Sequence, residues 1–424
     1  MQTDIHPTLK LIPLVQEAEE ILRSCVHCGF CNAVCPTYQL LGDELDSPRG
    51  RIYQIKNLLK NNEISFEANV HLDRCLTCRS CETTCPSGVK YGRLIDIARG
   101  LIDLKPKFPA QIIPRFKSLL LRNVVPYKDR FSFLLRIAQF FIPVLPRVLS
   151  KQIPPKQLVI NYPAPTTSLD RGSVLLLGGC VQNVSTPNVN NSIEFILSRL
   201  GIKAISLEKE GCCGALEYHL CAQKDGIEKM ITLVERLHDN LERVDYIISS
   251  ASGCGVTLKE YPEVLQNEPD ISESILNKAR AVSGRVLDIG EYLSAYTKEI
   301  SDLSHQSLSL LADPIKLAIH TPCSLQHGQK LPDLIGPFFQ SDHIDILSSV
   351  DSHLCCGSAG AYSIMQPEIS RSLTERKLKA LNEHGPDLIL TANIGCQLTL
   401  EASATVAVKH WVEFLAQLLN QKET

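Results

Sequence analysis

Hydrophobic residues recur at helical spacing in the amino-terminal quarter of the chain. The pattern covers residues 8–24, 49–60 and 89–104, and a period near 3.6 residues predicts amphipathic helices. Ser47 followed by Pro48 has the form of an N-cap with proline in the first helical turn. This region is therefore predicted to be mainly helical.

A different pattern begins near residue 173, where short apolar runs alternate with helical segments. Strands are predicted at 174–177, 247–248, 317–320 and 388–390, with helical patterns between them such as 192–200 and 369–381. Strands that alternate with helices predict α/β units with parallel sheets. The predicted fold class is thus α + α/β, a helical domain followed by two repeated α/β modules.

Residues 105–170 separate the two patterns and are rich in proline, which predicts a connector containing one or two helices. Its apolar stretch, Phe131 to Leu149, contains Arg136 and Pro143 and has no uncharged run long enough to span a bilayer. Such a stretch could lie on a membrane surface. We favour the alternative, a helix packed on the neighbouring domain.

Two cysteine motifs of identical spacing lie in the helical region. Each has the form Cys-x-x-Cys-x-x-Cys-x-x-x-Cys-Pro, with cysteines at Cys25, Cys28, Cys31 and Cys35 and at Cys75, Cys78, Cys81 and Cys85. This spacing is typical of proteins with two 4Fe–4S clusters, in which the fourth cysteine of each motif ligates the other cluster. The pattern therefore predicts a two-cluster ferredoxin domain.

The crossed arrangement predicts two ligand sets. Cluster 1 takes Cys25, Cys28, Cys31 and Cys85, and cluster 2 takes Cys75, Cys78, Cys81 and Cys35. Zinc sites typically use paired Cys-x-x-Cys hooks and do not need a third cysteine at the same step. Disulfides require an oxidising compartment. Arg49 and Arg51 could pair with cluster charge, although we favour a solvated helix face for both.

A second cysteine pattern repeats in the α/β region. Its members are Cys180, Cys212, Cys213 and Cys254 in the first copy and Cys323, Cys355, Cys356 and Cys396 in the second. The gaps are 31 and 40 residues in one copy and 31 and 39 in the other, and glycine follows each cysteine pair. Cysteines at the carboxyl ends of parallel strands lie where α/β folds bind ligands. We predict one metal site per module, with purely structural thiols as the alternative.

Other cysteines and histidines near these repeats are interpreted more simply. Cys221 falls outside both copies and is expected to fill space in the core or at the surface. His219, His320, His327 and His353 lie near the cysteine pairs and are interpreted as structural histidines.

Length, net charge and cysteine content limit the classes of protein to which this chain can belong. The chain has 424 residues, 44% of them hydrophobic, with a formal net charge of −3 and 17 cysteines. The length indicates about three domains, and the charge argues against nucleic acid as a partner. Thiols that ligate metal must stay reduced, which favours the cytoplasm, and the first ten residues lack the pattern of a secretory signal.

Four strings carry a resemblance to a known family. They are CVHCGFCNAVCPTYQLLGDELDSPRGRIY (25–53), HLDRCLTCRSCETTCPSGVKY (71–91), DSHLCCGSAGAY (351–362) and TANIGCQ (391–397). The chain resembles the iron–sulfur subunits of flavin-linked dehydrogenases, and among them those of glycolate oxidase, also called glycolate dehydrogenase. The resemblance implies two cubane clusters and a complex in which FAD-binding subunits act on glycolate. It also implies a membrane quinone as the final acceptor and a position on the inner face of the cell membrane.

The resulting division is a ferredoxin domain (1–104), the connector (105–170) and two Cys-Cys-Gly modules (171–312 and 313–424). Because no G-x-G-x-x-G follows a strand, the chain is expected to transfer electrons rather than hydride, with no catalytic residue of its own. Lactate or another 2-hydroxy acid is the alternative substrate. A heterodisulfide-reductase-like activity is a further alternative, although Ala251 and Asn393 stand where that enzyme has a fifth cysteine. A third alternative is a binding protein in which the modules hold zinc and serve only as a scaffold for partners.

Overall fold

The computed structural model describes residues 1–105, 112–146, 150–164, 168–309 and 313–420. Three connector prolines (Pro106, Pro109 and Pro165) and residues 147–149 of the apolar stretch lie outside the described residues. The same holds for 310–312, at the predicted boundary between the modules, and for 421–424. The four-part division stays a prediction.

The amino-terminal region is helical, as predicted. Its helices are α1 (Pro13–Ser24), α2 (Phe30–Ala33), α3 (Pro36–Leu41), α4 (Pro48–Asn61), α5 (Phe66–Asp73), α6 (Ser80–Thr83) and α7 (Tyr91–Asp103). Helix α1 begins later than the periodicity indicated, because Pro13 occupies its first turn. The Ser47 hydroxyl accepts a hydrogen bond from the Gly50 amide and caps α4. Buried leucines and isoleucines of α1, α4 and α7 form one core.

The connector forms helices α8 (Ile112–Val124) and α9 (Lys128–Phe141). Of α9, only Leu135 is buried, whereas Phe133 and Phe140 are largely exposed. The favoured interpretation, in which this stretch packs its apolar side against a neighbouring domain, is therefore wrong for most of its apolar residues. Among the described residues, no helix combines the length and hydropathy that crossing a bilayer requires.

Two four-stranded parallel sheets follow. The first contains β1 (Ser173–Leu176), β2 (Lys203–Ile205), β3 (Tyr246–Ser249) and β4 (Val286–Asp288) in the order β2-β1-β3-β4. The second contains β5 (Ile315–His320), β6 (Ile344–Leu347), β7 (Leu388–Thr391) and β8 (Ala407–His410) in the order β6-β5-β7-β8. The equivalent orders confirm the predicted repeat. In each sheet the second strand along the chain lies on one side of the first strand, and the third and fourth lie on the other side. Ligands of α/β folds bind at such a switch in strand order.

Helices cover the sheets and join them. They include Pro187–Arg199, Gln223–His238, Ser252–Lys259, Glu273–Ser283, Thr297–Ser309, Pro367–Leu381, Ile394–Glu401 and Trp411–Asn420. One hydrophobic core contains residues of both modules, including Ile193 and Leu197 from a helix of the first and Trp411 and Leu415 from a helix of the second. The two modules are therefore packed through a shared core.

The helical region is bound to both modules by polar contacts. Arg79 forms an ion pair with Glu260 of the first module, with Nη2 2.6 Å from Oε2. The Tyr362 hydroxyl of the second module donates to the Arg74 carbonyl over 2.9 Å. Together these contacts close a space between the cysteine motifs and the two sheets.

Candidate functional site

Both ferredoxin motifs adopt the same backbone turn. The second and fourth residues after the first cysteine have positive φ in each copy: His27 (56°) and Gly29 (86°), and Thr77 (53°) and Arg79 (62°). Left-handed conformation is unfavourable for residues with a Cβ. At Arg79 it is held by the ion pair with Glu260. The first three cysteines of each motif then line one small cavity: Cys25, Cys28 and Cys31 line one, and Cys75, Cys78 and Cys81 line the other.

The turns bring the eight ferredoxin thiols together in two small cavities. One cavity is lined by Cys25, Cys28, Cys31 and Cys85, together with Cys81. The other is lined by Cys35, Cys75, Cys78 and Cys81. Each cavity thus collects the four members of one predicted ligand set, including the cysteine contributed by the opposite motif.

A buried positive charge, that of Arg51, lies beside the thiols of the second cavity. Arg51 lines this cavity with only 1% of its surface exposed. It donates to Asp46 over 3.1 Å, to the Thr37 hydroxyl over 3.0 Å and to the His71 carbonyl over 2.7 Å. Burial opposes the charge, but nearby Cys75, Tyr91 and Cys35 raise the pKa of Arg51 above its ordinary value. The expected solvated position is therefore wrong for Arg51.

Three further donors surround Cys75 in the same place. Its sulfur lies 3.4 Å from the Thr77 amide and 3.7 Å from the Tyr91 hydroxyl, both of which donate to it. Arg99, also buried, donates to the Cys75 carbonyl over 2.8 Å. Hydrogen bonds and positive charge both stabilise a charged sulfur centre in a buried site.

The first cavity is closer to solvent. Cys28 is exposed, and its neighbours Val26 and Phe30 are 67% and 60% exposed. Arg49, whose guanidinium pairs with Glu44 over 2.7 Å, lines the same cavity and is partly exposed. Arg49 is therefore partly solvated, as expected, but it also lies close enough to the first cavity to pair with cluster charge, and the two arginines of α4 differ in environment.

The module thiols also form close groups. In the first module the sulfurs of Cys180 and Cys212 are 3.8 Å apart, and those of Cys213 and Cys254 are 3.5 Å apart. In the second module Cys323 and Cys355 are separated by 3.9 Å. Two thiolates bound tetrahedrally to one metal at about 2.3 Å lie about 3.8 Å apart. The spacings therefore suit a shared metal centre in each module.

Glycine after each cysteine pair is required by the backbone. Gly214 and Gly357 have φ of 80° and 90°. A Cβ at either position would lie 2.5 Å from a backbone oxygen, that of Gly226 or of Ser370. No larger residue fits this close approach.

Within each Cys-Cys pair, the first thiol has a lowered pKa and the second a raised one. Hydrogen bonding with Cys180 and Cys213 lowers the pKa of Cys212. In the second module, hydrogen bonds from Cys323 and Cys356 lower the pKa of Cys355 in the same way. Thiolate is the form that binds metal, so both modules have a donor prepared for it.

The space between the helical region and the modules is a cavity of about 1510 Å³. Ten cysteines from the helical region and both modules line it, namely Cys75, Cys78, Cys180, Cys212, Cys213, Cys221, Cys254, Cys323, Cys355 and Cys396. Leu76, Cys355 and Tyr362 form a small buried cluster with Cys78 and Cys323 packed against it. The second ferredoxin cavity therefore adjoins the thiol group of the second module.

The other candidate residues of the sequence have varied surroundings. His219 binds Asp96 over 3.0 Å, and His327 binds the Thr83 hydroxyl and the His353 carbonyl over 2.9 Å each. Cys221 lines the large cavity. These contacts agree with structural roles for His219 and His327. His320 differs from them, because its buried ring lies beside Cys356 and Cys396.

Comparison with known proteins identifies the parts of the chain. Residues 21–89 match the model of a 4Fe-4S dicluster domain. Residues 174–259 and 317–401 each match that of a cysteine-rich domain. A solved structure, described as a hypothetical protein from Helicobacter pylori, has a TM-score of 0.51 at 13% identity and covers 97% of this chain and 73% of its own. It supports the fold alone.

Relatives of assigned function extend over the whole length. The glycolate oxidase iron-sulfur subunit of Escherichia coli K12 is 41% identical over 423 residues and covers both chains fully. A probable glycolate oxidase iron-sulfur subunit of Bacillus subtilis 168 is 29% identical over 95% of each chain. Lactate utilization protein A of Shouchella clausii is 24% identical, over 59% of this chain and all of its own. The chain therefore belongs to the family of glycolate oxidase iron–sulfur subunits.

Proposed function

We propose that this chain is the electron-transfer subunit of a flavin-dependent glycolate dehydrogenase, which converts glycolate to glyoxylate. FAD-binding subunits oxidise the substrate, and this chain relays the electrons toward a membrane quinone. The observation that carries the proposal is the pair of cavities that each collect four ferredoxin thiols. The full-length relative from Escherichia coli supports the substrate.

The proposed ligand sets are those of the crossed arrangement. Cys25, Cys28, Cys31 and Cys85 hold the first cluster, and Cys75, Cys78, Cys81 and Cys35 hold the second. The donor set fits, because all eight are free thiols at the spacing that cubane clusters use. When bound, each cluster supplies one-electron redox chemistry.

The residues around the thiols suggest a route for electron transfer through the chain. Exposed Cys28, Val26 and Phe30 give the first cavity an accessible face at which electrons can pass to or from another subunit. The second cavity is deeper, and Arg51, Arg99 and Tyr91 stabilise negative charge there. Cys78 then connects it to the second module.

Residues of α8 and α9 support a peripheral position on the inner face of the cell membrane. The exposed apolar side chains of these helices are Ile113, Phe116, Leu119, Leu120, Phe133, Leu134, Ile137, Phe140 and Phe141. Between 112 and 141 there are six basic residues and one acidic residue, Asp129, although the whole chain has a net charge of −3. An apolar surface with basic residues suits anionic lipid.

This membrane assignment has a direct test with the full chain and vesicles that contain phosphatidylglycerol. Charging the apolar surface in the double variant Phe133→Glu/Phe140→Glu should weaken vesicle binding about tenfold or more. Phe30→Glu, at an equally exposed phenylalanine outside these helices, is the matched control and should leave binding unchanged. Equal binding by all three proteins would refute the assignment.

A second candidate is the same role in a complex that oxidises lactate or another 2-hydroxy acid. It is favoured by the similarity to lactate utilization protein A, which covers only 59% of this chain. A heterodisulfide-reductase-like activity is less well supported. Asn393 occupies the place of the fifth cysteine and donates to the Cys396 sulfur over 3.8 Å.

Cysteine variants test the ligand sets. Cys85→Ser should perturb the EPR signal of the cluster held by Cys25, Cys28 and Cys31, and Cys35→Ser should perturb the other. Cys221→Ser, which alters a cavity thiol outside the sets, is the control. If each serine variant instead changes the cluster of its own motif, the crossed arrangement is refuted.

A further inference from the structure

A histidine lies within the thiol group of the second module. His320 is the last residue of β5, and its ring lies beside Cys356 and Cys396. One ligand atom from each of these three residues lies within 4.8 Å of the other two. Their exposed fractions are 2%, 1% and 3%. Three potential metal donors are thus brought together in a site that excludes solvent.

The imidazole has an unsatisfied nitrogen. Within the described part of the chain, Nε2 of His320 is buried and has no hydrogen-bond partner. Leaving a buried polar atom unpaired is costly, so such an atom calls for a partner, such as a bound ion or water. The other deeply buried histidine of this module, His410, does have partners. Its Nε2 lies 2.9 Å from the Ser250 carbonyl, and its Nδ1 accepts from the Val412 amide over 3.4 Å.

The first module has no counterpart to this histidine. Aligned on the first cysteine of each module, Cys180 and Cys323, the residue three positions earlier is Leu177 in one and His320 in the other. Leu177 is buried in an apolar cluster together with Cys212 and Cys213. The two thiol groups are therefore similar in their cysteines but differ in this one donor.

We propose that His320 is a metal ligand of the second module, where its imidazole joins the module cysteines in a thiolate–imidazole centre, whereas the first module provides thiolates alone. Mixed sulfur and nitrogen donors suit metals of borderline softness, such as Zn²⁺ or iron. Cys356 and Cys396 supply two thiolates beside the ring, and Cys355 or Cys323 completes a four-donor set. The inference does not depend on the proposed electron-transfer function; it depends on the module cysteines acting as metal ligands, for which their sulfur spacings are suited.

The test measures ligands directly in the full chain isolated without oxygen. Iron, zinc and sulfide are quantified first. X-ray absorption at the zinc edge, or pulsed EPR of nitrogen coupling if the metal is iron, then counts nitrogen donors. The variants are His320→Leu, which copies the first module, His320→Cys, which supplies another thiolate, and His327→Leu as a control histidine that lines the large cavity.

The proposal expects one nitrogen donor at a metal other than the two ferredoxin clusters. His320→Leu should remove it and increase metal loss to a chelator at least about tenfold. His320→Cys should keep the metal without the nitrogen, and His327→Leu should change neither. A nitrogen donor that persists in His320→Leu, or its absence from the unmodified chain, would overturn the inference.

The same samples separate this inference from the proposed function. The iron of the ferredoxin clusters and their reduction are recorded alongside the nitrogen signal. Intact clusters without a nitrogen donor would reject only the role of His320. A nitrogen donor without ferredoxin clusters would reject only the electron-transfer proposal.

Discussion

Replacing Arg51 should change the redox potential of the second ferredoxin cluster specifically. This guanidinium lines the cavity of Cys35, Cys75, Cys78 and Cys81 and is almost fully buried. Asp46 keeps another cationic partner in the variant, since Arg74 lies 3.0 Å from it. Arg51→Gln therefore removes one positive charge beside the cluster without leaving a wholly unpaired carboxylate.

The size of the effect follows from Coulomb's law. If the separation between the guanidinium and the cluster is taken as about 7 Å and the effective dielectric constant as about 20, one unit charge contributes about 2.4 kcal/mol. For a one-electron couple this corresponds to about 100 mV. Positive charge favours the reduced cluster, so the potential in Arg51→Gln should fall by about that amount.

An EPR-monitored redox titration measures both clusters in one sample. Arg51→Lys keeps the charge and should shift the second cluster much less. Arg93→Gln is the matched control, because Arg93 is also buried but pairs with Glu17 over 2.8 Å and is not among the residues that line either ferredoxin cavity. A shift below about 20 mV in Arg51→Gln, or an equal shift in both clusters, would refute the electrostatic reasoning.

Three further predictions concern stability, each measured as a urea unfolding midpoint. Trp411→Ala should cost about 3–5 kcal/mol, because the ring is fully buried and stacks on Phe338; Phe133→Ala, at an exposed site, should cost little. Gly357→Ala should lower the free energy of unfolding clearly more than Gly360→Ala. Both positions have positive φ, which strains alanine by about 1–2 kcal/mol, but only at Gly357 would the added Cβ meet a backbone oxygen. Burial raises the pKa of Asp288 to about 7, so the native state holds its proton longer than the unfolded state and stability should fall as pH rises from about 4 to about 7. Asp288→Asn should remove that fall, and an unchanged pH profile would contradict it.

Much of the architecture was predictable from local patterns. Helical periodicity located α4 and α7, and the alternation of apolar runs with helices predicted both parallel sheets. The repeat was identified by two sets of cysteines with nearly equal gaps, one around the pair Cys212-Cys213 and one around the pair Cys355-Cys356. These features depend on short-range chemistry, so they are visible in one sequence.

What could not be predicted depends on tertiary contacts. Arg51 occupies a helix position that looks solvated, and only packing with Asp46 and Cys75 buries it. His320 is one histidine among several, although aligning the modules on their cysteines would have singled it out against Leu177. Helix α9 has the apolar composition of a helix that packs against another part of the protein. Periodicity shows that such a helix has an apolar face, but it does not show whether that face is buried in this chain.

The most direct test of the central proposal is reduction by substrate. The chain is purified without oxygen together with its flavin subunits, and EPR spectra are recorded before and after glycolate is added. The account predicts two interacting 4Fe–4S signals that appear with glycolate and are lost when Cys28 or Cys78 is replaced by serine. Clusters that remain oxidised with glycolate, yet are reduced by a chemical reductant, would contradict the assigned role in glycolate oxidation.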